Sequence, residues 1–293
     1  MKSKYVFFAL LLFSSFPVFA QDDLLDLLDE TDESVNYVIA TFKGTRIING
    51  HSTKLRNKKA LEFLISHRFG RINNGIYEFF GLDEANIRLA LEYGITDVLN
   101  IGVGRSSFNK TYDGFVKWKF LRQKTGEQRS PVSMVLFSSY AINSVRSEGQ
   151  NINFADRIGY TFQLLIARKF NSNFSFQLIP GMVHLNTVPS AEDDNDIYYL
   201  GGGLRYKLTR SLALTMEYYH RFNPLTSTET FDLIGIGIDI ETGGHVFQLM
   251  FTNTNAPFEK GFITETVDDF LDGDIRFGFN ISRTFQLGQK RNW

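Results

Sequence analysis

From Asp156 to His184 the side chains alternate. Ile158, Tyr160, Phe162, Leu164 and Ile166 fall on one face of an extended segment, and Gly159, Thr161, Gln163, Leu165 and Ala167 on the other. Asn171, Ser172 and Asn173 turn the chain, after which Phe174, Phe176, Leu178 and Met182 alternate with Ser175, Gln177, Gly181 and Val183. The period is two, so both arms predict β-strands. An apolar face opposite a small or polar one asks for a hydrophobic medium on one side and a hydrated space on the other. This is the lipid-out, lumen-in pattern of a transmembrane antiparallel β-barrel.

The pattern recurs. Leu61, Phe63 and Ile65 oppose Glu62, Ser66 and Arg68; Ile87, Leu89, Leu91 and Tyr93 oppose Asn86, Arg88, Ala90 and Glu92. Leu99, Ile101 and Val103 oppose Asn100, Gly102 and Gly104, and Val116, Trp118 and Phe120 oppose Lys117 and Lys119. Residues 131–142 are apolar on both faces, so parity does not orient them. Alternating runs follow at 198–208, 212–222, 231–241, 245–254 and 274–287, the last with Ile275, Phe277, Phe279 and Ile281 against Arg276, Gly278, Asn280 and Ser282.

Counted from Lys59 there are 12 strands. Connections near 95, 172, 209 and 242 are tight, whereas 71–84, 143–155, 185–196 and 255–273 are long. Short periplasmic turns and long external loops are expected of such barrels, and an even count returns both ends to the periplasm. Residues 41–52 would make a thirteenth strand, so they are expected in the lumen or at the periplasmic mouth, with 14 strands as the alternative. The expected organisation is an N-terminal periplasmic or luminal segment over 21–57, a barrel over 58–287 and a periplasmic tail over 288–293.

The N-terminus adds the compartment. Lys2 and Lys4 precede an apolar run from Tyr5 to Phe13, and Val18-Phe19-Ala20 supplies small residues for cleavage. Residues 1–20 therefore read as a signal peptide cleaved near Ala20, since the run is shorter than the roughly 20 residues a spanning helix needs. The implied location is the outer membrane of a Gram-negative bacterium. Removing two lysines and no acids leaves 29 basic against 32 acidic residues, a net charge of −3. That balance points to no nucleic-acid partner. The expected partners are outer-membrane lipid and lipopolysaccharide. With no cysteine, disulfides, thiolate metal sites and cysteine nucleophiles are excluded. Leu24, Leu25, Leu27 and Leu28 among the acids of residues 21–33 suggest a short docking helix for a periplasmic partner or the barrel rim; the alternative is a solvated leader.

Candidate chemistry is sparse. Gly102-Val103-Gly104 and Gly201-Gly202-Gly203 lack the lysine or third glycine of phosphate loops, and read as close-packing positions in strands. His51, His67, His184, His220 and His245 have no metal-ligand spacing. Ser52 and Ser66 adjoin His51 and His67, but sequence neighbours on a strand point to opposite faces and cannot pair as nucleophile and base. No catalytic residue, metal or cofactor is expected. The informative set is the inward charges: Arg68, Arg88, Lys117, Lys119, Arg157, Arg205, Lys207, Arg221 and Arg276 against Glu62, Glu92, Glu217, Asp239 and Glu241. Such groups must meet water or one another. They either set the selectivity of an open passage or fill a narrow interior as ion pairs. Should the N-terminal segment enter the lumen, Arg46, Asn49 and His51 are the candidate plug side chains. The acids at 192–196 and 259–272 read as solvated loops rather than as a Ca²⁺ site.

The strings TFKGTRIINGHS at 41–52, ISHRFGRINNGIYEFFGLDEANIRLALEYGITD at 65–97 and GVGRSSFNKTYDGFVKWKFLRQ at 102–123 resemble a family of bacterial β-barrel proteins known as a domain of unknown function. The resemblance spans most of the mature chain and is densest before residue 125. It implies an outer-membrane barrel and brings no activity or catalytic residue with it. The functional expectation is a porin-like or gated passage for a small solute. The alternative is a non-conducting scaffold that recruits a partner through residues 21–57.

Overall fold

The computed structural model describes residues 36–126, 129–146, 153–242 and 245–288. The expected signal peptide, the leucine-rich stretch at 21–33 and residues 289–293 lie outside the described residues. Twelve antiparallel strands close into one barrel. They are β1 (Ala60–Arg71), β2 (Ala85–Gly94), β3 (Leu99–Ser106), β4 (Tyr112–Leu121), β5 (Ser133–Ile142) and β6 (Ile158–Lys169). The second half comprises β7 (Phe174–Leu185), β8 (Asp196–Lys207), β9 (Leu212–Arg221), β10 (Leu233–Thr242), β11 (His245–Thr252) and β12 (Arg276–Gln286). Each strand pairs with its sequence neighbour, and β12 closes on β1, with Phe279 opposite His67 and Ile281 opposite Ile65. Closure leaves no strand edge unpaired, as lipid requires. Among the described residues no helix is long and apolar enough to cross a membrane.

One end of the barrel carries the short connections after β2, β6 and β8; we call it the turn end. The other, the loop end, carries the long ones. Period-two parity holds along the wall: in β6, Gly159, Thr161, Gln163, Leu165 and Ala167 are buried inside while Phe162 is exposed outside. Leu89, Leu91, Val103, Leu200, Leu249 and Phe251 are among the outward side chains that form the lipid-facing band.

The interior is not the hydrated space that the alternation implies. Phe115, Val135, Phe137, Leu165, Ile179, Val183, Tyr199 and Tyr219 point inward and are buried with Ile47, Ile48, Phe262 and Ile263 in one apolar cluster. This explains residues 133–142, whose inner face, Val135 and Phe137, packs on protein instead of water. The glycine run of β8 has the same cause. A Cβ on Gly201 would stand 2.6 Å from the Tyr219 ring, and one on Gly203 2.4 Å from Cδ1 of Ile47. Only hydrogen fits at either position.

Candidate functional site

The lumen is filled by two pieces of chain that are not part of its wall. The first, residues 41–56, enters from the turn end, where Asn36–Tyr37 pairs antiparallel with Lys124–Thr125 in the connection between β4 and β5. Inside, it doubles back as a small hairpin: Arg46 pairs with His51, and the Ile47 N–H donates to the Gly50 carbonyl at 2.8 Å.

Wall side chains grip that tip. One oxygen of Glu217 accepts from the Asn49 backbone N–H at 2.8 Å and from Asn49 Nδ2 at 2.9 Å. The other accepts from the N–H groups of Gly50 at 3.1 Å and Ile48 at 3.3 Å. Arg68 donates to Asn49 Oδ1 through Nη2 at 2.8 Å and to Asn280 Oδ1 through Nη1 at 3.1 Å. Gln248 donates to the Ile47 carbonyl at 2.9 Å, and Asn280 to that of Ile48 at 2.8 Å. Gln177 takes the Thr53 N–H at 2.9 Å and donates to the His51 carbonyl at 2.8 Å. The backbone polar groups of the tip thus find on the wall the partners that their removal from water demands.

The second piece comes from the loop end. Between β11 and β12 the chain turns inward and forms α1 (Glu259–Thr264), burying Ala256, Phe258, Phe262 and Ile263. Phe262 meets Tyr219 edge-on at 5.2 Å between centroids. Glu259, expected in a solvated acidic loop, is buried; so is Asp268. The correction has an electrostatic cause, since each has a guanidinium inside. Arg46 of the hairpin binds Glu259 at 2.7 Å, and Asp268 is held by Arg71 at 2.5 Å and by Arg276. The two inserts therefore touch through one ion pair, with the His51 Nε2 atom 3.6 Å from the same carboxylate.

The inward charges are mostly paired. Arg88 makes two bonds to Asp113, at 2.8 and 2.5 Å. Glu62 accepts from the Thr45 hydroxyl at 2.6 Å and pairs with Arg56 at 3.1 Å. Lys117 donates to the Lys54 carbonyl at 2.7 Å and stands 3.7 Å from Glu92. Arg205 pairs with Glu241 at 2.9 Å and stands 3.9 Å from Asp239; Arg221 binds Asp232 at 3.1 Å, outside the run of inward charges read from parity. Lys119 and Lys207 lie on the inner face near the turn end. Arg157 departs from expectation: it sits in a 3-10 turn before β6 and lines the loop-end cavity, because β6 begins only at Ile158. Arg46, Asn49 and His51 are all buried in the first insert.

Sequence reasoning missed Gln177, Gln248 and Asp113. Their inward parity was readable in part, but their targets were not. The histidine–serine neighbours form no catalytic pair. The His51 ring lies 4.5 Å from those of Phe115 and Phe137, while Ser52 donates to the Gly44 carbonyl at 2.7 Å. His67 faces out and stacks on Phe279 at 4.9 Å, whereas Ser66 faces in. Among the described residues no group of three or more histidines or acids is placed to hold a metal.

At the loop end a cavity of about 360 Å³ opens between the wall and the second insert. Phe108, Ile158, Leu185 and Leu225 give it an apolar body, and Arg157, Lys260 and Glu265 a charged edge. Its rim is fastened by Asp193, which accepts from the Thr226 N–H at 2.7 Å, the Ser227 N–H at 3.1 Å and both hydroxyls. The Ser227 hydroxyl does most to pull the Asp193 pKa from its ordinary 3.8 down to about 2, aided by Thr226 and opposed by partial desolvation. A depressed pKa contributes stability that is present above 3.8 and is lost as pH falls through about 2. The NMR shifts of the Thr226 and Ser227 amides should accordingly titrate with a midpoint near 2, and not in Asp193→Asn; a midpoint near 4 would contradict the arrangement.

A family model described as membrane bound beta barrel domain (DUF5777) matches residues 42–285. No curated protein is a significant match to the chain. Among solved structures, the KdgM porin aligns at 10% identity and a TM-score of 0.47, covering 77% of this chain and 99% of that one. A Salmonella typhi OmpF complex with daunomycin aligns at 7% identity and 0.38, covering 77% and 97%. The translocator domain of the autotransporter NalP from Neisseria meningitidis aligns at 11% and 0.33, covering 78% and 89%.

Proposed function

This chain belongs to the membrane bound beta barrel domain family, and on that premise we propose that it is a gated passage for a small solute across the outer membrane. The turn end, with its short connections and both ends of the barrel, is the periplasmic face of this reading. The observation that carries it is the identity of the stopper. The lumen is closed by residues 41–56 and by the loop between β11 and β12, not by the wall's own side chains alone. Were the inserts to withdraw, Arg68, Arg88, Lys117, Glu62, Glu92 and Glu217 would line a water-filled passage and set its selectivity. A solute arriving from outside meets the loop-end cavity first, and there it touches Lys260 and Glu265 of the second insert.

A second reading has its own support. Tyr37 and Ile39, just before the hairpin, are 51% and 76% exposed at the turn end, placed to meet a periplasmic partner while the barrel stays shut. Under that reading the protein is a scaffold. Ion conductance in planar bilayers separates the two. The passage reading expects the refolded mature chain to be closed at rest and the same chain lacking residues 36–57 to conduct steadily. A deletion variant that folds, inserts and remains silent would sink the passage reading and leave the scaffold.

A further inference from the structure

The turn end holds a second cavity, of about 200 Å³, that the closure of the lumen does not use. Its walls come from both partners of the plug. Residues 37–42 and 53–55 belong to the first insert and the segment leading into it, Lys119 and Ser133 to the wall, and Arg122 to the connection after β4. Three cations line it, Lys54, Lys119 and Arg122, against one carboxylate, Asp97. Asp97 is already engaged: Oδ1 accepts the Lys58 N–H at 2.9 Å, and its carbonyl accepts from Arg122 Nη2 at 3.1 Å. Arg122 also lies over the Tyr37 ring at 5.3 Å. Among the described residues, the Lys54 and Lys119 ammonium groups have neither an ion pair nor a hydrogen bond, although carboxylates answer most other cations of the interior. Lys117, one pleat away, has Glu92, and Lys43 has Glu241 at 2.9 Å.

We propose that this cavity is a binding site for a small oxyanion, a carboxylate or phosphate group held between Lys54 of the insert, Lys119 of the wall and Arg122 just beyond β4. Clustered like charges with low-dielectric walls concentrate anions, and Arg122 and the lysines offer the donors that such groups take in charge-assisted bonds. An anion bridging insert and wall binds only the plugged arrangement, so it favours closure by mass action. The site does not require that the barrel conduct. Two sources share the chemistry. One is a free solute in the periplasm. The other is the chain itself, since seven acids between Asp22 and Glu33 precede Asn36, the first described residue, and a short tether gives them a high local concentration.

The test is calorimetric titration of the refolded mature chain with inorganic phosphate and with acetate at fixed ionic strength. A parallel chain has the seven acids at 22–33 changed to their amides. Lys119→Gln and Arg122→Gln are made in both backgrounds, with Lys110→Gln at the loop end as control. Saturable binding by the mature chain that either pocket variant weakens at least tenfold, and the control leaves alone, supports a site for a free anion. Binding seen only after the acids are neutralised, and again lost in both pocket variants, supports the same site occupied by the chain's own carboxylates. No saturable binding in either background, or binding that survives both substitutions, overturns the proposal.

Discussion

Glu217→Ala is expected to release the hairpin from the wall, destabilising the plugged barrel by about 3–5 kcal/mol, the range for breaking a buried charged network by removing one partner. The Glu217 carboxylate is 3% exposed and accepts four N–H groups from Ile48, Asn49 and Gly50. Alanine leaves the three backbone N–H groups inside without an acceptor, leaves Asn49 Nδ2 with only the Thr252 hydroxyl at 3.1 Å, and leaves Arg68 without the negative charge nearest the Asn49 side chain. Neither loss can be made good by water unless water enters, and entry is what opening means here. The substitution should therefore do two things at once: lower the denaturant midpoint and produce channel current in bilayers. Glu217→Gln keeps one accepting oxygen at the same reach and should fall between. A Glu217→Ala protein that unfolds like the parent would show that the tip is held by its apolar side chains instead. Those are Ile47 and Ile48, each about 1% exposed or less, and each contributing roughly 1.5–3 kcal/mol of burial as an upper estimate.

The contrast between Glu217 and Ile47 also marks how far the sequence can be read. Parity placed Glu62, Arg68, Arg88, Lys117 and Glu217 on the inner face, and the structure has them there, because a strand's side chains have only two directions to point. Residues 41–52 were expected in the lumen or at the periplasmic mouth and lie inside, but how tightly the inner face is packed was not legible. An alternating strand reads the same whether its inner side chains meet water or a packed insert. The clue was local and negative: residues 131–142, apolar on both faces, and residues 41–52, which the even strand count set apart from the wall. Arg157 was misplaced because a three-residue 3-10 turn delays the start of β6 by more than the pattern reveals. The inward fold of the 253–275 loop was the least readable feature. Glu259 is buried because Arg46 waits for it, 213 residues earlier in the chain, and no window of sequence contains both.

The ion pair and the grip on the tip converge on one consequence, that current should pass only when the hairpin leaves β8. Ile47→Cys with Gly203→Cys tests it in a chain that has no other cysteine. Ile47→Cys removes the Cδ1 atom that bars a Cβ at Gly203; that Cβ would lie 3.3 Å from the Cγ2 and 3.5 Å from the Cγ1 position of Ile47, so the two Cβ atoms fall near the 3.5–4.5 Å that a disulfide spans. Built into the Glu217→Ala background, the oxidised pair should pin the released hairpin to the wall and abolish the current. Reduction in the same bilayer should restore it, an on-to-off ratio of at least ten. The bond blocks the exit of the hairpin without returning the lost carboxylate, so it separates mechanical closure from the electrostatics of the lumen. Current that persists unchanged through full oxidation would mean that ions pass beside the insert, and residues 41–56 would then be a lining of the passage and not its gate.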